Sequence, residues 1–309
     1  MAFKFPNNLP SPEYSTFEEW SDFIEICAIK EGQQNLFQLF KQSKLISDEI
    51  LTEGIDSEED SYDSLSDEIW QEIERRKYLL NDRYPFEVIS KGTLKFKDYK
   101  NYHSDIYKYL LLTTIMDMRP RNSIISGLNP TLLFENLCIY SAKGYFGKDF
   151  SCKVFGTGQK GSFYQKIEEF IREIGEGGSA RTHPQAKPKD DGVDIILFKN
   201  FRDFKESKFI AFGQCKTGTD WMDSIAKLNP DSFCKKWLNV SPLFTPIKML
   251  FLSQYFPYRD RSYKGYETGL IFDRIRIMEC LPDTITDVNE ELISDIRKWS
   301  SEIILKVSK

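Results

Sequence analysis

The sequence predicts an α/β chain, a mainly helical N-terminal domain followed by a three-layer core around a mixed sheet. Apolar residues recur at helical spacing through the first third. Two short apolar runs, residues 192–198 and 209–216, flank a polar connector and read as a hairpin. Around that hairpin, helix and strand patterns follow one another in the order that builds a sheet with helices on both faces.

Along the chain, Phe17, Trp20, Phe23, Ile24, Cys27 and Ala28 fall at helical spacing behind Ser15-Thr16, so a helix is expected over about 16–30. A second periodic segment covers 35–45. Between 47 and 68 stand ten acidic residues and no basic one, which reads as a solvated linker or, more sharply, a partner-binding or DNA-mimicking strip. Ser66-Asp67 then caps a helix carrying Ile69, Trp70 and Ile73, and 104–118 is again helical. Asn129-Pro130 opens a helix through Leu133, Phe134, Leu137 and Tyr140, with Gly144 as its expected stop. Next come a strand at 151–155, a helix at 162–174, the hairpin, a helix after Asp220, strands at 247–252 and 269–278, and a final helix over 289–307. The division expected is 1–125 for the helical domain and 126–309 for the α/β domain.

Composition narrows the function. The longest apolar stretch, 109–116, is far short of the roughly 20 residues that span a bilayer, and the opening residues contain no apolar signal region, so a cytoplasmic protein without membrane contact is expected. Six scattered cysteines lack zinc-site spacing, and two histidines disfavour histidine-rich metal centres. The net charge of −5 is uneven: about −9 over residues 1–142 and about +4 over 143–309, so the second half is the part suited to a polyanion.

The chemistry gathers at the hairpin. Antiparallel pairing about the middle of its connector sets Asp194 opposite Gln214, and Lys216 projects from the same face two residues on. A carboxylate, an amide and an ammonium at the rim of apolar strands are costly to bury unless they bind something, and a divalent cation with a phosphodiester would satisfy all three. Asp194 offers hard oxygens to Mg²⁺ or Mn²⁺, with Gln214 or an adjacent backbone carbonyl as a neutral ligand. Lys216 would hold the attacking hydroxide or neutralise charge on phosphorus, and Asp191 would support the ligands from behind.

Asp191-Gly192-Val193-Asp194-Ile195-Ile196, followed at hairpin distance by Gln214-Cys215-Lys216, resembles the PD-(D/E)xK, restriction-endonuclease-like nuclease superfamily and within it the Mrr-like variant with Gln in the third motif. The resemblance covers about residues 131–280. It implies a restriction-endonuclease-like core, metal-site roles for Asp194 and Gln214, and Lys216 as the catalytic lysine. It also implies a glutamate from a preceding helix; Phe134-Glu135 fits that pattern, with Glu168 and Glu169 as competitors. Gln in place of Glu removes one charge from the metal site.

Other motifs carry less. Gly156-x-Gly158-x-x-Gly161 lacks the acidic partner of a dinucleotide fingerprint, and Ser162 directly after Gly161 breaks the P-loop pattern, which leaves a loop near the cleft from which Lys160 could touch a phosphate. Asp220 would cap a helix whose N-terminus could receive phosphate, with Trp221 in the core as the plainer reading. Lys235-Lys236-Trp237 and the 259–264 segment interleave bases with aromatics, which suits a nucleic-acid path or a solvated face.

The expectation is a Mg²⁺- or Mn²⁺-dependent nuclease with Glu135, Asp194, Gln214 and Lys216 at its site. DNA is favoured over RNA as substrate, and the resemblance together with the helical accessory region suggests a bacterial defence or restriction role. Cutting both strands of a duplex suggests a homodimer, or a protein partner held through the N-terminal domain. The alternative is a catalytically inactive nucleic-acid-binding or assembly subunit on the same fold; a nucleotide-binding enzyme built on the glycine loop is the third reading.

Overall fold

In the computed structural model the chain forms two compact units, residues 1–126 together with 293–309, and residues 127–292. The structure describes residues 15–42, 56–90, 92–98, 101–116, 118–156, 162–181, 191–218, 221–256 and 267–307. Most of the acidic stretch before Asp56, Gly158, Lys160, Gly161, His183, Asp190, Asp220 and the 259–264 segment lie outside them.

The first unit begins with α1 (Phe17–Glu31), capped by a reciprocal pair: Thr16 Oγ1 accepts from Glu19 N, and Glu19 Oε2 accepts from Thr16 N. It continues with β1 (Gln33–Asn35), α2 (Leu36–Gln42), α3 (Asp56–Leu80), β2 (Phe86–Ser90), β3 (Thr93–Phe96) and α4 (Tyr102–Ile115). Two expectations change here. Helix α3 begins at Asp56, ten residues before the cap expected at Ser66, so part of the acidic strip is helical. The three strands form an antiparallel sheet in the order β1-β3-β2. None of the three was expected; they are short, and Gly92, with φ +84°, makes the turn between β2 and β3.

The C-terminal helix, Glu290–Val307, was expected in the second domain, but from Ile293 onward it groups with the first unit. Arg297 donates from Nε and Nη2 to Asp105 Oδ2 at 2.9 and 2.8 Å, and buried Trp299 donates from Nε1 to Ser123 O while meeting Tyr109 edge to face.

The second unit contains α5 (Pro130–Phe146), β4 (Ser151–Val154), α6 (Phe163–Ile174), β5 (Ile195–Phe198), β6 (Ile210–Lys216), α7 (Pro230–Trp237), β7 (Ile247–Leu252), β8 (Leu270–Phe272) and α8 (Arg274–Cys280). The strands make one mixed sheet in chain order, antiparallel across β4-β5-β6 and parallel across β6-β7-β8. Ile196, Phe198, Ile210 and Phe212 cluster with Ile167, Phe170, Phe233 and Trp237, which puts α6 and α7 on one face. Cys215 points to the other face, where its thiol meets Cys138 of α5, and Tyr145 of α5 packs on Phe272. The class is therefore α/β, with helices on both faces of a mixed sheet.

Three details differ from expectation. Gly144 does not stop α5: the helix runs on to Phe146 and is capped by Gly147 at φ +116°. Gly144 instead permits close approach, since a Cβ there would lie 1.7 Å from Cys280 O at the end of α8. Gly144→Ala must push the two helices apart, at an expected cost of about 1–3 kcal/mol, measurable by urea unfolding. The strand expected over 269–278 ends at Phe272, because Asp273 Oδ1 accepts from Arg276 N and caps α8. The segment after Asp220 is a 3₁₀ helix, Met222–Lys227; Trp221 is buried above it and donates from Nε1 to Gln254 Oε1.

Candidate active site

Along the paired strands the register is the one expected from the hairpin. Ile195 pairs with Gly213, as expected. At Asp194 the ladder departs from the expected pairing with Gln214: Asp194 N also donates to Gly213 O, at 2.9 Å, so Asp194 and Ile195 share Gly213 as in a β-bulge. Alternation from Phe212 places Gln214 and Lys216 on the α6/α7 face, where Val193 also packs, while Asp194 Oδ1 faces Gly156 together with Glu135 of α5.

Asp194 is pinned from both neighbouring strands. Its carbonyl accepts from Phe155 N at 2.7 Å and Gly156 N at 3.1 Å, and its Oδ2 accepts from Cys215 N at 2.7 Å. Oδ1 is directed toward Gly156, and so is Oε2 of Glu135, a buried residue on α5. A Cβ built on Gly156 would lie 3.4 Å from Glu135 Oε2 and 3.6 Å from Asp194 Oδ1. Two carboxylates, one from a helix and one from a strand start, thus face one small space that the missing side chain of Gly156 leaves open.

Glu168 and Glu169 are not brought there. Glu168 Oε1 accepts from Ala180 N, and Glu169 faces Lys153, which also pairs with Glu173. Glu135 is the helix carboxylate beside Asp194.

Gln214 is fully buried at 0 % exposure, and neither Oε1 nor Nε2 has a hydrogen-bond partner. Its amide lies under the turn before β5: a Cβ on Gly192 would come within 2.9 Å of Nε2 and 3.4 Å of Leu228 N. Leaving a buried amide unpaired costs about 1–3 kcal/mol, so the position is not explained by stability alone. Lys216 ends β6, half buried, opposite Leu252, and forms no ion pair among the described residues.

Asp191 has a different task from the supporting one expected. Its Oδ2 accepts from Lys236 Nζ and Trp237 Nε1, each at 2.7 Å, which holds the 191–192 turn, left-handed at both residues, against α7. Lys236 also lies over the Trp237 ring, and Trp237 is buried, so the pair reads as structural. The cysteines next to the site are held as neutral thiols: burial pushes both Cys138 and Cys215 up.

Sequence reasoning missed Lys166. From α6 its Nζ donates to Gly156 O at 2.7 Å, so the residue that opens the space between the carboxylates carries an ammonium on its carbonyl. A single lysine on an amphipathic helix gives no sign of this before folding.

The donor set suits a hard divalent cation. Among the described residues no group of three or more His, Cys, Asp or Glu converges, so protein ligation rests on two carboxylates and neutral oxygens. That is the economy of Mg²⁺ sites, where water fills the remaining positions. The two carboxylate oxygens that face Gly156, Glu135 Oε2 and Asp194 Oδ1, fit such an ion.

Fold and site together define an α/β protein with a two-carboxylate rim at one end of its mixed sheet. No family model, curated protein or solved structure matches the chain. Among the described residues no helix is long and apolar enough to cross a membrane.

Proposed function

We propose that the protein is a metal-dependent nuclease of restriction-endonuclease-like fold that hydrolyses phosphodiester bonds in DNA. The observation that carries this reading is the approach of Glu135 Oε2 and Asp194 Oδ1 to one open space beside Gly156. The order α5, β4, α6, β5, β6, α7, β7, with one acidic residue on α5, one just before β5 and a lysine at the end of β6, supports it further. Association with DNA or with a second copy, and service in bacterial defence, belong to the same proposal.

Glu135 and Asp194 would hold Mg²⁺ or Mn²⁺, with Gln214 or a neighbouring carbonyl as the neutral ligand. When bound, the ion supplies Lewis-acid polarisation of the phosphate and acidifies water. Asp194, fixed through its carbonyl and its Oδ2, keeps its other oxygen on target without reorganisation. Lys216, at the end of β6 and in no ion pair among the described residues, neutralises charge growing on the phosphate oxygens as water attacks phosphorus and the ester oxygen leaves with a proton. The neutral Gln214 means that one anion fewer opposes the approach of a phosphate.

Supercoiled plasmid incubated with Mg²⁺ or Mn²⁺ tests the reading, beside Asp194→Ala and Lys216→Ala. Nicking by the wild type and its loss in both variants is expected. Equal nicking by all three, or none by the wild type with either metal, refutes it. The second reading, a non-cleaving nucleic-acid-binding or assembly subunit, is favoured by the neutral Gln214. It predicts binding without metal and no cleavage in the same assay.

A further inference from the structure

The two carboxylates and Lys216 stand at one end of the mixed sheet, and that end continues beyond them. Strand order and direction bring four positions to it in a row: Gly156 just past β4, Asp194 just before β5, Lys216 at the end of β6, and Gln254 two residues past β7. In open α/β sheets, ligands bind in the crevice outside the carboxyl ends of the parallel strands, which here are the ends of β6 and β7. Lys216 pairs with Leu252, and Ser253 N donates to Lys216 O at 3.1 Å, so Gln254 follows directly on the strand beside the lysine.

The Gln254 side chain lies on the face that Lys216 occupies. Leu250 and Leu252, opposite Gln214 and Lys216, cluster with Trp221, Phe256 and Ile271, and Gln254 reaches the same tryptophan. Trp221 is 2 % exposed, packs on Phe256 with ring centroids 5.3 Å apart, and donates from Nε1 to Gln254 Oε1 at 2.8 Å.

That bond fixes which way the amide points. An indole nitrogen only donates, so the atom facing it must be the oxygen, and Nε2 with its two N–H groups is turned away. Gln254 is half-buried, its own carbonyl accepts from Arg274 N at 3.2 Å, and Nε2 has no acceptor among the described residues. A held pair of donors therefore stands one strand from Lys216, and neighbouring strands lie about 4.8 Å apart. For Trp221 alone any acceptor would serve, a carboxylate included. What a glutamine adds is a neutral donor on the other side, which suits an anionic oxygen.

We infer that Gln254 is a phosphate-binding residue of the site, whose Nε2 donates to a non-bridging oxygen of the phosphodiester next to the one that Lys216 neutralises. This rests on the nuclease reading above and extends the site by one strand. The contact is with the backbone, so it is independent of base sequence. Because the donor is neutral, the contact releases no counterion.

Two variants separate this contact from the support of Trp221. Gln254→Glu keeps an oxygen for Trp221 Nε1 and removes the donors, whereas Gln254→Met removes both. Binding of a fluorescein-labelled DNA duplex is measured in EDTA against KCl concentration, beside the thermal midpoint and plasmid nicking with Mg²⁺ at varied DNA concentration. Gln254→Met is expected to weaken binding by about 10-fold, the loss of one hydrogen bond to a charged group. The slope of log K against log salt should stay unchanged. KM for nicking should rise in proportion, with kcat held within about 2-fold. Gln254→Glu should weaken binding at least as much with the midpoint unchanged, since it sets a carboxylate against the phosphate.

Wild-type affinity in Gln254→Glu makes the residue a support for Trp221 and overturns the inference, while nicking by the wild type keeps the nuclease reading standing. If the stranded indole lowers the midpoint of Gln254→Met, Gln254→Glu decides by itself. A wild type that neither binds the duplex nor nicks plasmid overturns the nuclease reading and this inference with it.

Discussion

Asp194→Asn is expected to abolish plasmid nicking, by about 10²- to 10³-fold or more, while the protein stays folded. Asparagine has the same shape, and its amide oxygen can still accept from Cys215 N, the bond that Asp194 Oδ2 makes at 2.7 Å. Removed is the negative charge on the oxygen directed at Gly156. Glu135 would then be the one carboxylate left of the two that face that space. Mn²⁺ binding measured by calorimetry should weaken in parallel with activity, and the unfolding midpoint in urea should hardly move. Asp194→Ala gives a less clean result, since it also strands the Cys215 N–H at a cost of about 1–3 kcal/mol. Retention of wild-type nicking by Asp194→Asn would remove Asp194 from the chemistry.

The largest effect on stability is expected from Arg76→Met, about 3–5 kcal/mol of destabilisation in urea unfolding. Arg76 is fully buried on α3, donating to Asp22 at 2.7 Å, Glu25 at 2.9 Å, Glu72 at 2.8 Å and the Glu18 carbonyl at 3.0 Å. Tyr84 and Tyr107 donate their hydroxyls to the two oxygens of Glu25. Methionine fills the volume but takes from Asp22, Glu25 and Glu72 the cation they share, leaving Glu72 its bonds from Arg75. Breaking such a cluster from one side costs more than the cluster contributes whole, because the charges left behind remain out of water.

The same network sets an acid limit. Burial pushes Glu72 up, but the Arg76 charge and hydrogen bonds from Arg75 and Arg76 outweigh it and hold the carboxyl below its usual 4.5. A depressed carboxyl contributes stability that is fully present above its unfolded value. That contribution is lost as pH falls through 4.5 toward the lower folded value, so urea midpoints should fall over this window. In Arg76→Met the acid sensitivity should diminish, since the groups then protonate at little cost.

The hairpin could be read before folding because two apolar runs of matched length admit one register that keeps both buried. Slipping by one residue would turn Ile196 and Phe212 out of their cluster, so the core itself enforces their pairing, and only the bond from Asp194 N to Gly213 O shows the shift at the next residue. The caps of α1 and α5 were legible for a local reason: Thr16 and Asn129 each satisfy an N–H within three residues. Gly144 misled because a glycine near a helix end has two uses, and only the position of Cys280 O, far away in the chain, tells them apart.

What the chain's own order determined is local chemistry and short-range pairing: the hairpin, its polar rim, the helix caps and the apolar faces. Folding in three dimensions alone decided which glutamate joins Asp194, that Gly156 opens the space between them, that Lys166 arrives from α6, and that Asp191 holds α7 instead of supporting the carboxylates. It also decided that the last helix groups with the first unit through Arg297 and Trp299. These are contacts between residues tens to hundreds of positions apart. Side-chain periodicity states which face a residue occupies, and only the packed core states what that face meets.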